Sequence, residues 1–494
     1  MATVISSKKA CTVNPLKMSQ PIGGILAFMG LDNCMPIMHG SQGCTAFGLV
    51  LFVRHFRETI PLQTTAMNEV TTILGGMDNI TQALLNITSR AKPAIIGLCT
   101  TGLTETKGED VRGDLVMIRK RHPELADLAI VFVETPDFKG AFQDGWAKTV
   151  TRIIEDLVPE KSKSPPPTLL QSGQQKQVDS QIPHFAKGGV GGDLQINLLP
   201  GSHLTGADIE EIVEMINAFG FSAVVLPDIS GSLDGHIPDS FKSTTNGGTT
   251  VAEIRSMGGA LATVAIGRQM EQAAKELEKR SGVPSRVFDR LTGLDANDQF
   301  LMHLSTLSGQ PVPLKYRRQR GQLMDAMLDS HFFIGGMKIA IAAEPDLLWT
   351  MSSFLAEMGC EISVAVTTTH SPLLESIPCA EVLIGDLEDL ELRAKGCDLL
   401  ITHAHGRQAS ERLGIPLFRV GIPCFDRLGA NHKLSVGYRG SRDLIFQIGN
   451  VFLEHSHENA PDSWPLPAQN LSQEDLPSES RDAVTRTCCS TQTV

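Results

Sequence analysis

Aromatic residues are scarce in this sequence, and long apolar runs are absent from it. Rings make up 5% of the 494 residues, which leaves few platforms on which nucleic-acid bases could stack. Acidic residues outnumber basic ones by 55 to 43, and the net charge of −12 would repel phosphates. No stretch approaches the roughly 18 apolar residues of a membrane helix. We therefore expect no nucleic acid and no membrane as partner.

An apolar leader and paired cysteines are also missing. Residues 1–17 contain no hydrophobic core of a signal peptide, which predicts a cytoplasmic protein with reduced thiols. No two cysteines form a C-x-x-C pair, which argues against a zinc ribbon or a thioredoxin site. The ten cysteines are Cys11, Cys34, Cys44, Cys99, Cys360, Cys379, Cys397, Cys424, Cys488 and Cys489.

Neither of the two common phosphate-binding fingerprints occurs. There is no G-x-x-x-x-G-K-[ST] sequence, and Gly335-Gly336 comes before a predicted strand instead of after one. An ordinary nucleotide-dependent α/β enzyme is therefore a poor interpretation of the chain, and a nucleotide titration would test it.

What the sequence does contain is an alternation of short apolar runs with helical patterns. This alternation predicts an α/β fold of three Rossmann-like domains, with parallel sheets covered by helices. A proline triplet at 165–167 and glycines at 188–192 indicate a flexible linker, and the polar composition near the end indicates a disordered tail. The predicted division is 1–160 for the first domain, 161–193 for the linker, 194–313 for the second domain, 314–457 for the third and 458–494 for the tail.

One run in the glycine-spaced segment 23–56 is a candidate site, namely His39-Gly40-Ser41-Gln42-Gly43-Cys44. Glycine backbone can approach a compact anion closely, and a thiolate binds soft metals. A lone cysteine is more often a small core residue, and the segment is equally typical of a buried turn under a sheet. An iron–sulfur cubane takes about four thiolates. If Cys44, in this predicted loop, is a cluster ligand, another chain must supply most of the others.

Residues 16–456 resemble the β-type subunits of the nitrogenase molybdenum–iron family, most specifically in the run that ends at Cys44. The other matching stretches are Gln20-Pro21-Ile22-Gly23, Met35-Pro36, Arg54-His55-Phe56, Cys99-Thr100-Thr101, Pro227-Asp228, Leu233-Asp234, Gly247-Gly248-Thr249-Thr250 and Gln322-Leu323-Met324-Asp325-Ala326. The resemblance implies the nitrogenase component 1 fold. The run from Pro61 to Glu69 is more similar to the β-like half of the scaffold on which the iron–molybdenum cofactor matures.

The departures from the catalytic pattern are informative. By resemblance, the catalytic β subunit contributes three cysteines to an eight-iron P-cluster, and these align with Ser19, Cys44 and Gly102. Serine is a weak oxygen ligand and glycine is none, so an eight-iron cluster is implausible here. The resemblance instead implies a [4Fe–4S] cluster shared across a subunit interface, with Cys44 as the one metal ligand from this chain.

The same resemblance implies a scaffold subunit without catalysis of its own. It would pair with an α-like subunit of the NifE type, and two such pairs would form an α2β2 heterotetramer. The nitrogenase iron protein would deliver electrons, and cofactor donor and carrier proteins would dock. The iron–molybdenum cofactor precursor would be held mainly by the partner chain. Two alternatives stay open: the catalytic β subunit, disfavoured by Ser19 and Gly102, and a protochlorophyllide-reductase-type subunit, which no motif selects.

Other candidate residues have simpler explanations. We expect His39 and His55 to hydrogen-bond the backbone, the H-x-H pair His403 and His405 not to bind a metal because no third ligand is near in sequence, the aspartates to make domain-interface contacts and the remaining cysteines to be structural. The histidines are His39, His55, His403 and His405; the aspartates are Asp228 and Asp234; the cysteines are Cys99, Cys360, Cys379 and Cys397. The role of Cys34, ten residues before Cys44, stays undecided at this point.

Overall fold

The computed structural model describes residues 1–9, 12–161, 194–237 and 240–459. The predicted linker, from residue 162 onward, and the predicted tail, from residue 460 onward, lie outside the described residues. Three parallel sheets covered by helices confirm the predicted α/β class.

The first unit is built on a four-stranded parallel sheet in the order β3-β2-β4-β5. Its elements are β1 (Thr3–Ser6), α1 (Gln20–Met29), β2 (Cys34–His39), α2 (Gln42–Phe56), β3 (Gln63–Thr64), α3 (Glu69–Leu74), α4 (Met77–Ala91), β4 (Ile95–Thr100), α5 (Gly102–Lys107), α6 (Val111–Arg121), β5 (Ala129–Val133) and α7 (Phe142–Leu157). Strand β1 is the exception, because it pairs in parallel with a strand of the third unit.

Segment 23–56 is a helix, a strand and a helix, so the prediction of a glycine-spaced turn was wrong. All ten residues of α1 are buried, and α1 crosses α7 at very short distance. A Cβ on Gly23 would lie 1.9 Å from the carbonyl oxygen of Phe142, and one on Gly145 would lie 2.0 Å from that of Gln20. The glycines therefore allow two backbones to touch.

The second unit has the same type of sheet, in the order β7-β6-β8-β9. Its elements are β6 (Leu194–Pro200), α8 (Gly206–Asn217), β7 (Phe221–Val225), α9 (Ile229–Ser232), α10 (Val251–Ser256), β8 (Ala262–Ile266), α11 (Glu271–Ser281), β9 (Ser285–Phe288) and α12 (Leu294–Ser308). Thr205 is the N-cap of α8, and its hydroxyl accepts a hydrogen bond from the Asp208 N–H.

The third unit has a six-stranded parallel sheet in the order β1-β12-β11-β10-β13-β14. Its elements are α13 (Leu314–Ile334), β10 (Lys338–Ala342), α14 (Pro345–Glu357), β11 (Glu361–Thr367), β12 (Glu381–Ile384), α15 (Leu387–Arg393), β13 (Leu399–Thr402), α16 (Arg407–Leu413), β14 (Leu417–Arg419) and α17 (Gly437–Asn459). One apolar core extends through all three units. The domain boundaries stay a prediction. The structure differs from it in one respect, because residues 3–6 form a strand of the third unit's sheet and not of the first.

Candidate metal-ligand site

Cys44 lies at the carboxyl ends of β2 and β4, where open parallel sheets place their ligands. It lines a pocket of about 400 Å³ together with Ser19, Phe47, Thr101 and Asp137. Ser19 is the residue before α1, Cys44 is in the first turn of α2, and Thr101 is the residue before α5. The fold therefore places Ser19, Cys44 and the residue before Gly102 around one pocket. Ser19, Cys44 and Gly102 are the three positions that the resemblance aligns with the cysteines of the catalytic β subunit.

Cys44 belongs to a helix, so its predicted placement in a loop was wrong. Ser41 has extended backbone and begins α2 without capping the helix N–H groups, and its hydroxyl instead lies 3.6 Å from the Cys44 Sγ. The first N–H groups of a helix have no partner within the helix, and they face an anion favourably. Nothing lies within 4 Å of where a Cβ on Gly43 would be, so the space beside the thiol is open.

Exposure separates Cys44 from the other cysteines. Among the cysteines that the structure describes, Cys44 alone is exposed. Burial raises the pKa of the Cys99 and Cys360 thiols to about 12, and it also raises that of Cys34. These thiols stay protonated at neutral pH, and a protonated thiol is a poor metal ligand. Cys34 is thus a core residue at the start of β2.

The described residues offer a metal no complete site. They contain no group of three or more His, Cys, Asp or Glu side chains arranged to hold a metal ion. One exposed thiol beside free helix N–H groups fits one ligand of a cluster whose remaining ligands come from elsewhere. It does not fit a cluster held by this chain alone, within the part that the structure describes.

Asp137 is a site residue that the sequence analysis missed. Its Oδ2 accepts a hydrogen bond of 2.9 Å from the Gly102 N–H, and its buried Oδ1 has no partner among the described residues. Burial raises the pKa of this carboxyl. Asp137 follows β5, the neighbour of β4 in the sheet, and this position after a strand was the available signal.

The surface around Cys44 is unusually apolar. Phe47 and Val50 follow Cys44 on α2 and are 66% and 55% exposed. Ile73 and Leu74 on α3 are about four-fifths exposed, and α3 packs against α5 beside the pocket. Exposed apolar side chains in such a group are typical of a protein–protein interface.

His39 and His55 lie near this region but have structural partners. His39 is fully buried, with Nδ1 2.9 Å from the Thr65 hydroxyl and Nε2 2.8 Å from a Glu109 carboxylate oxygen. Burial lowers the pKa of both imidazoles, that of His55 to about 4. The Cys424 N–H donates to Nδ1 of His55 at 2.9 Å. His55 thus bonds the backbone as expected, whereas His39 bonds two side chains.

The remaining candidates lie away from Cys44. Asp228 caps the start of α9, and its N–H donates to the Gly30 carbonyl at 3.0 Å, which joins the first two units. His403 Nε2 lies 3.2 Å from the Leu16 carbonyl oxygen, and its Nδ1 accepts the His405 N–H. These contacts are structural, as the sequence led us to expect.

No helix in the described ranges combines the length and the hydropathy that crossing a bilayer requires.

Comparisons with known proteins agree with this architecture. The family model of nitrogenase component 1 type oxidoreductases matches residues 19–453. A Bradyrhizobium diazoefficiens protein named nitrogenase iron-molybdenum cofactor biosynthesis protein NifN is 57% identical over 94% of this chain and 95% of its own. A protein of the same name from Nostoc is 49% identical over 92% of this chain and 96% of its own.

A solved structure described as nitrogenase Cp1 at pH 6.5 has a TM-score of 0.81 and 30% identity to this chain. The similarity covers 96% of this chain and 98% of the other, so it includes all three sheets. Since the family model spans most of the sequence and the fold agrees over nearly its whole length, the chain belongs to the nitrogenase component 1 type oxidoreductase family.

Proposed function

We propose that this chain is a scaffold subunit for maturation of the nitrogenase iron–molybdenum cofactor, acting in the cytoplasm with an α-like partner of the NifE type. The names of its relatives, which are 57% and 49% identical, support the cofactor-maturation role. The catalytic β subunit stays the weaker alternative, because Ser19 and Gly102 replace two of the three cysteine ligands that the resemblance assigns to it.

Within that role, Cys44 supplies one thiolate to a [4Fe–4S] cluster at the interface with the partner. One observation carries this proposal: Cys44 is the exposed cysteine of the described set, and it lies beside a pocket of about 400 Å³. The N–H groups at the start of α2 would orient toward the bound sulfides. When bound, the cluster would supply one-electron transfer from the nitrogenase iron protein.

Two exposed apolar surfaces support an α2β2 heterotetramer. The first surrounds Cys44 and would meet the α-like subunit. The second is a stripe on α13, formed by Met324, Leu328 and Phe332 at four-residue spacing, with Phe332 86% exposed. A second copy of the pair would cover it. The cofactor precursor would be held mainly by the partner chain, and carrier proteins would dock on the assembly.

The test is iron counting on the complex purified with its partner. Cys44→Ala should remove most iron and the broad iron–sulfur absorbance that belongs to this site. Cys379→Ala is the matched control, because Cys379 is only partly buried and its thiol contacts the Glu381 carbonyl at 3.3 Å, far from the pocket in sequence. Equal iron loss in both variants, or in neither, would contradict the assignment.

A further inference from the structure

A second cavity, of about 470 Å³, lies where the three units meet. His55 from the end of α2, His203 from the loop after β6, and Phe418 and Lys433 from the third unit line it. It shares no lining residue with the Cys44 pocket. Its volume falls within the range of roughly 300–1,000 Å³ that is typical of small-molecule sites.

Lys433 brings a positive charge into this cavity, with the Asp208 carboxyl acting on it from beyond ion-pair distance. Its Nζ contacts the Arg419 carbonyl oxygen at 3.4 Å and lies 3.6 Å from the centre of the Phe418 ring. No carboxylate of the described residues lies within ion-pair distance of it, and burial lowers the pKa of its ammonium to about 8. The Arg419 guanidinium, by contrast, is paired with Asp426 at 2.8 Å. A shielded cation without a contacting counter-ion favours an anionic ligand.

Two neutral histidines add hydrogen-bond donors to the same wall. The Cys424 N–H donates to Nδ1 of His55, and the Gln269 amide nitrogen donates to Nδ1 of His203 at 3.4 Å. Burial lowers the pKa of both rings to about 4, so each is neutral and carries its hydrogen on Nε2. Nε2 of His203 is buried without a partner among the described residues. A buried donor of this kind is satisfied by an acceptor atom of a ligand.

The rest of the wall is largely hydrocarbon. Leu347 and Met351 of α14, Ile422, and Leu444 of α17 line the cavity from the third unit. A hydrated inorganic ion gains nothing from these surfaces, whereas an organic chain removes apolar area from water on contacting them. The combination of the cationic Lys433 and Arg427, two histidine N–H donors and apolar walls therefore selects an amphipathic anion.

We propose that this cavity binds a small organic carboxylate, with the carboxylate at Lys433 and the hydrocarbon body against α14 and α17. The proposal does not depend on the cluster assigned to Cys44. Because Phe56 also lines the cavity and α2 runs from Cys44 to Phe56, the ligand would contact the carboxyl end of the helix whose amino end holds the proposed thiolate.

Calorimetric titration of the full chain in complex with its partner tests the proposal. The probes are hexanoate and adipate. Hexanamide is the control without charge, and inorganic phosphate is the control without a hydrocarbon chain. We expect saturable binding of at least one carboxylate and none of hexanamide or phosphate. Lys433→Met should weaken that binding about tenfold or more, since a charge-assisted hydrogen bond is lost, and Lys433→Arg should retain most of it. Lys275→Met, at a lysine that is 70% exposed on α11, is the matched control.

A measurement on the unaltered protein guards against a misfolded variant. Acylation of Lys433 by acetic anhydride can be followed in peptide mass spectra with and without ligand, and the bound carboxylate should slow it, because the ligand covers the amine. Hexanamide should give no protection. The proposal is overturned if neither carboxylate binds, if phosphate or hexanamide binds equally well, or if Lys433 is not protected.

Discussion

The Gly102 N–H donates a 2.9 Å hydrogen bond to Asp137, and this pair closes the position at which a third cysteine would enter the Cys44 pocket. A Cβ on Gly102 would lie 2.9 Å from the same carboxylate oxygen, closer than atoms tolerate without movement. The site therefore differs from a three-cysteine site in its local structure as well as in lacking two of the three thiols. The Gly102 backbone and the Asp137 carboxyl occupy the space in which a third cysteine side chain would lie.

Gly102→Cys should consequently destabilise the protein without adding iron. Overpacking of the new side chain against Asp137 should lower the free energy of unfolding by about 1–3 kcal/mol. Differential scanning calorimetry would measure the loss of stability, and iron analysis would measure the iron content. Gly259→Cys is the control, because nothing lies within 4 Å of its Cβ position. Adding Asp137→Gly to Gly102→Cys should restore the melting temperature. A stable single variant that gains iron would show that Asp137 does not close this position.

The apolar surface beside Cys44 should be required for pairing. Phe47→Asp places a charge on the face that we assign to the α-like partner, so co-purification of the two chains should fall severalfold because a buried unpaired charge is costly. Leu392→Asp, on α15 at 64% exposure, is the control and should leave pairing unchanged. Size-exclusion chromatography distinguishes the two results. Equal recovery of the partner with both variants would remove the surface from the proposed interface.

The His39–Glu109 pair should matter for stability and not for iron binding. Glu109 accepts from Nε2 of His39, from the Gly76 N–H at 2.9 Å and from Lys107 at 2.8 Å. Glu109→Ala leaves the buried His39 Nε2 and Gly76 N–H without a partner, which should cost about 1–3 kcal/mol. Glu124→Ala breaks a similar pair with His122 on the surface and should cost little. If Glu109→Ala loses iron while its melting temperature is unchanged, His39 instead helps to position the start of α2.

Glu344, just before α14, should make stability fall as the pH rises from about 4.3 to about 8. Burial raises the pKa of its carboxyl to about 8, and Oε1 has no partner among the described residues. In the unfolded chain the group titrates near its usual pKa of about 4.3. Unfolding therefore releases a proton, and the stabilisation present at low pH is lost progressively up to about pH 8. The loss has a slope of at most about 1.4 kcal/mol per pH unit.

Glu344→Gln should flatten the melting temperature between pH 7 and pH 8. Asp346, with a pKa raised to about 7, acts in the same direction but only up to that pH. His203 acts in the opposite direction and only below about pH 6.5, where the unfolded chain binds a proton that the buried ring does not. Glu411→Gln, an exposed carboxylate at 63%, is the control. An unchanged pH slope in Glu344→Gln would mean that this group is already ionised at pH 7.

Local pattern predicted much of the fold and part of the site. The predicted alternation of apolar runs with helical patterns is found in all three units, because short strands between polar turns leave a local signal in the sequence. Strand β2 was not predicted, because it contains Pro36, a residue that is rare inside strands. Gly23, which lets α1 contact α7, resembled a turn residue, and only the position of the distant α7 explains it.

The site shows the same division between local and distant information. Cys44 could be singled out from its glycine-rich neighbourhood and the family resemblance. Its exposure, its place in the first turn of α2 and its proximity to Asp137 depend on how separate strands meet. Asp137 carries no motif, and 93 residues separate it from Cys44 in the sequence. Contacts of that separation are set by sheet order, which periodicity along the chain does not encode.

Strand β1 has a consequence for biogenesis. Thr3 of β1 pairs with Glu381 of β12. Strand β1 therefore has no neighbour to pair with until the chain has been synthesised as far as Glu381. At typical synthesis rates of about 5–20 residues per second, that interval is on the order of tens of seconds. Strand β1 therefore stays unpaired until translation has passed residue 384, and the six-stranded sheet is complete only once β14, which ends at Arg419, has been made.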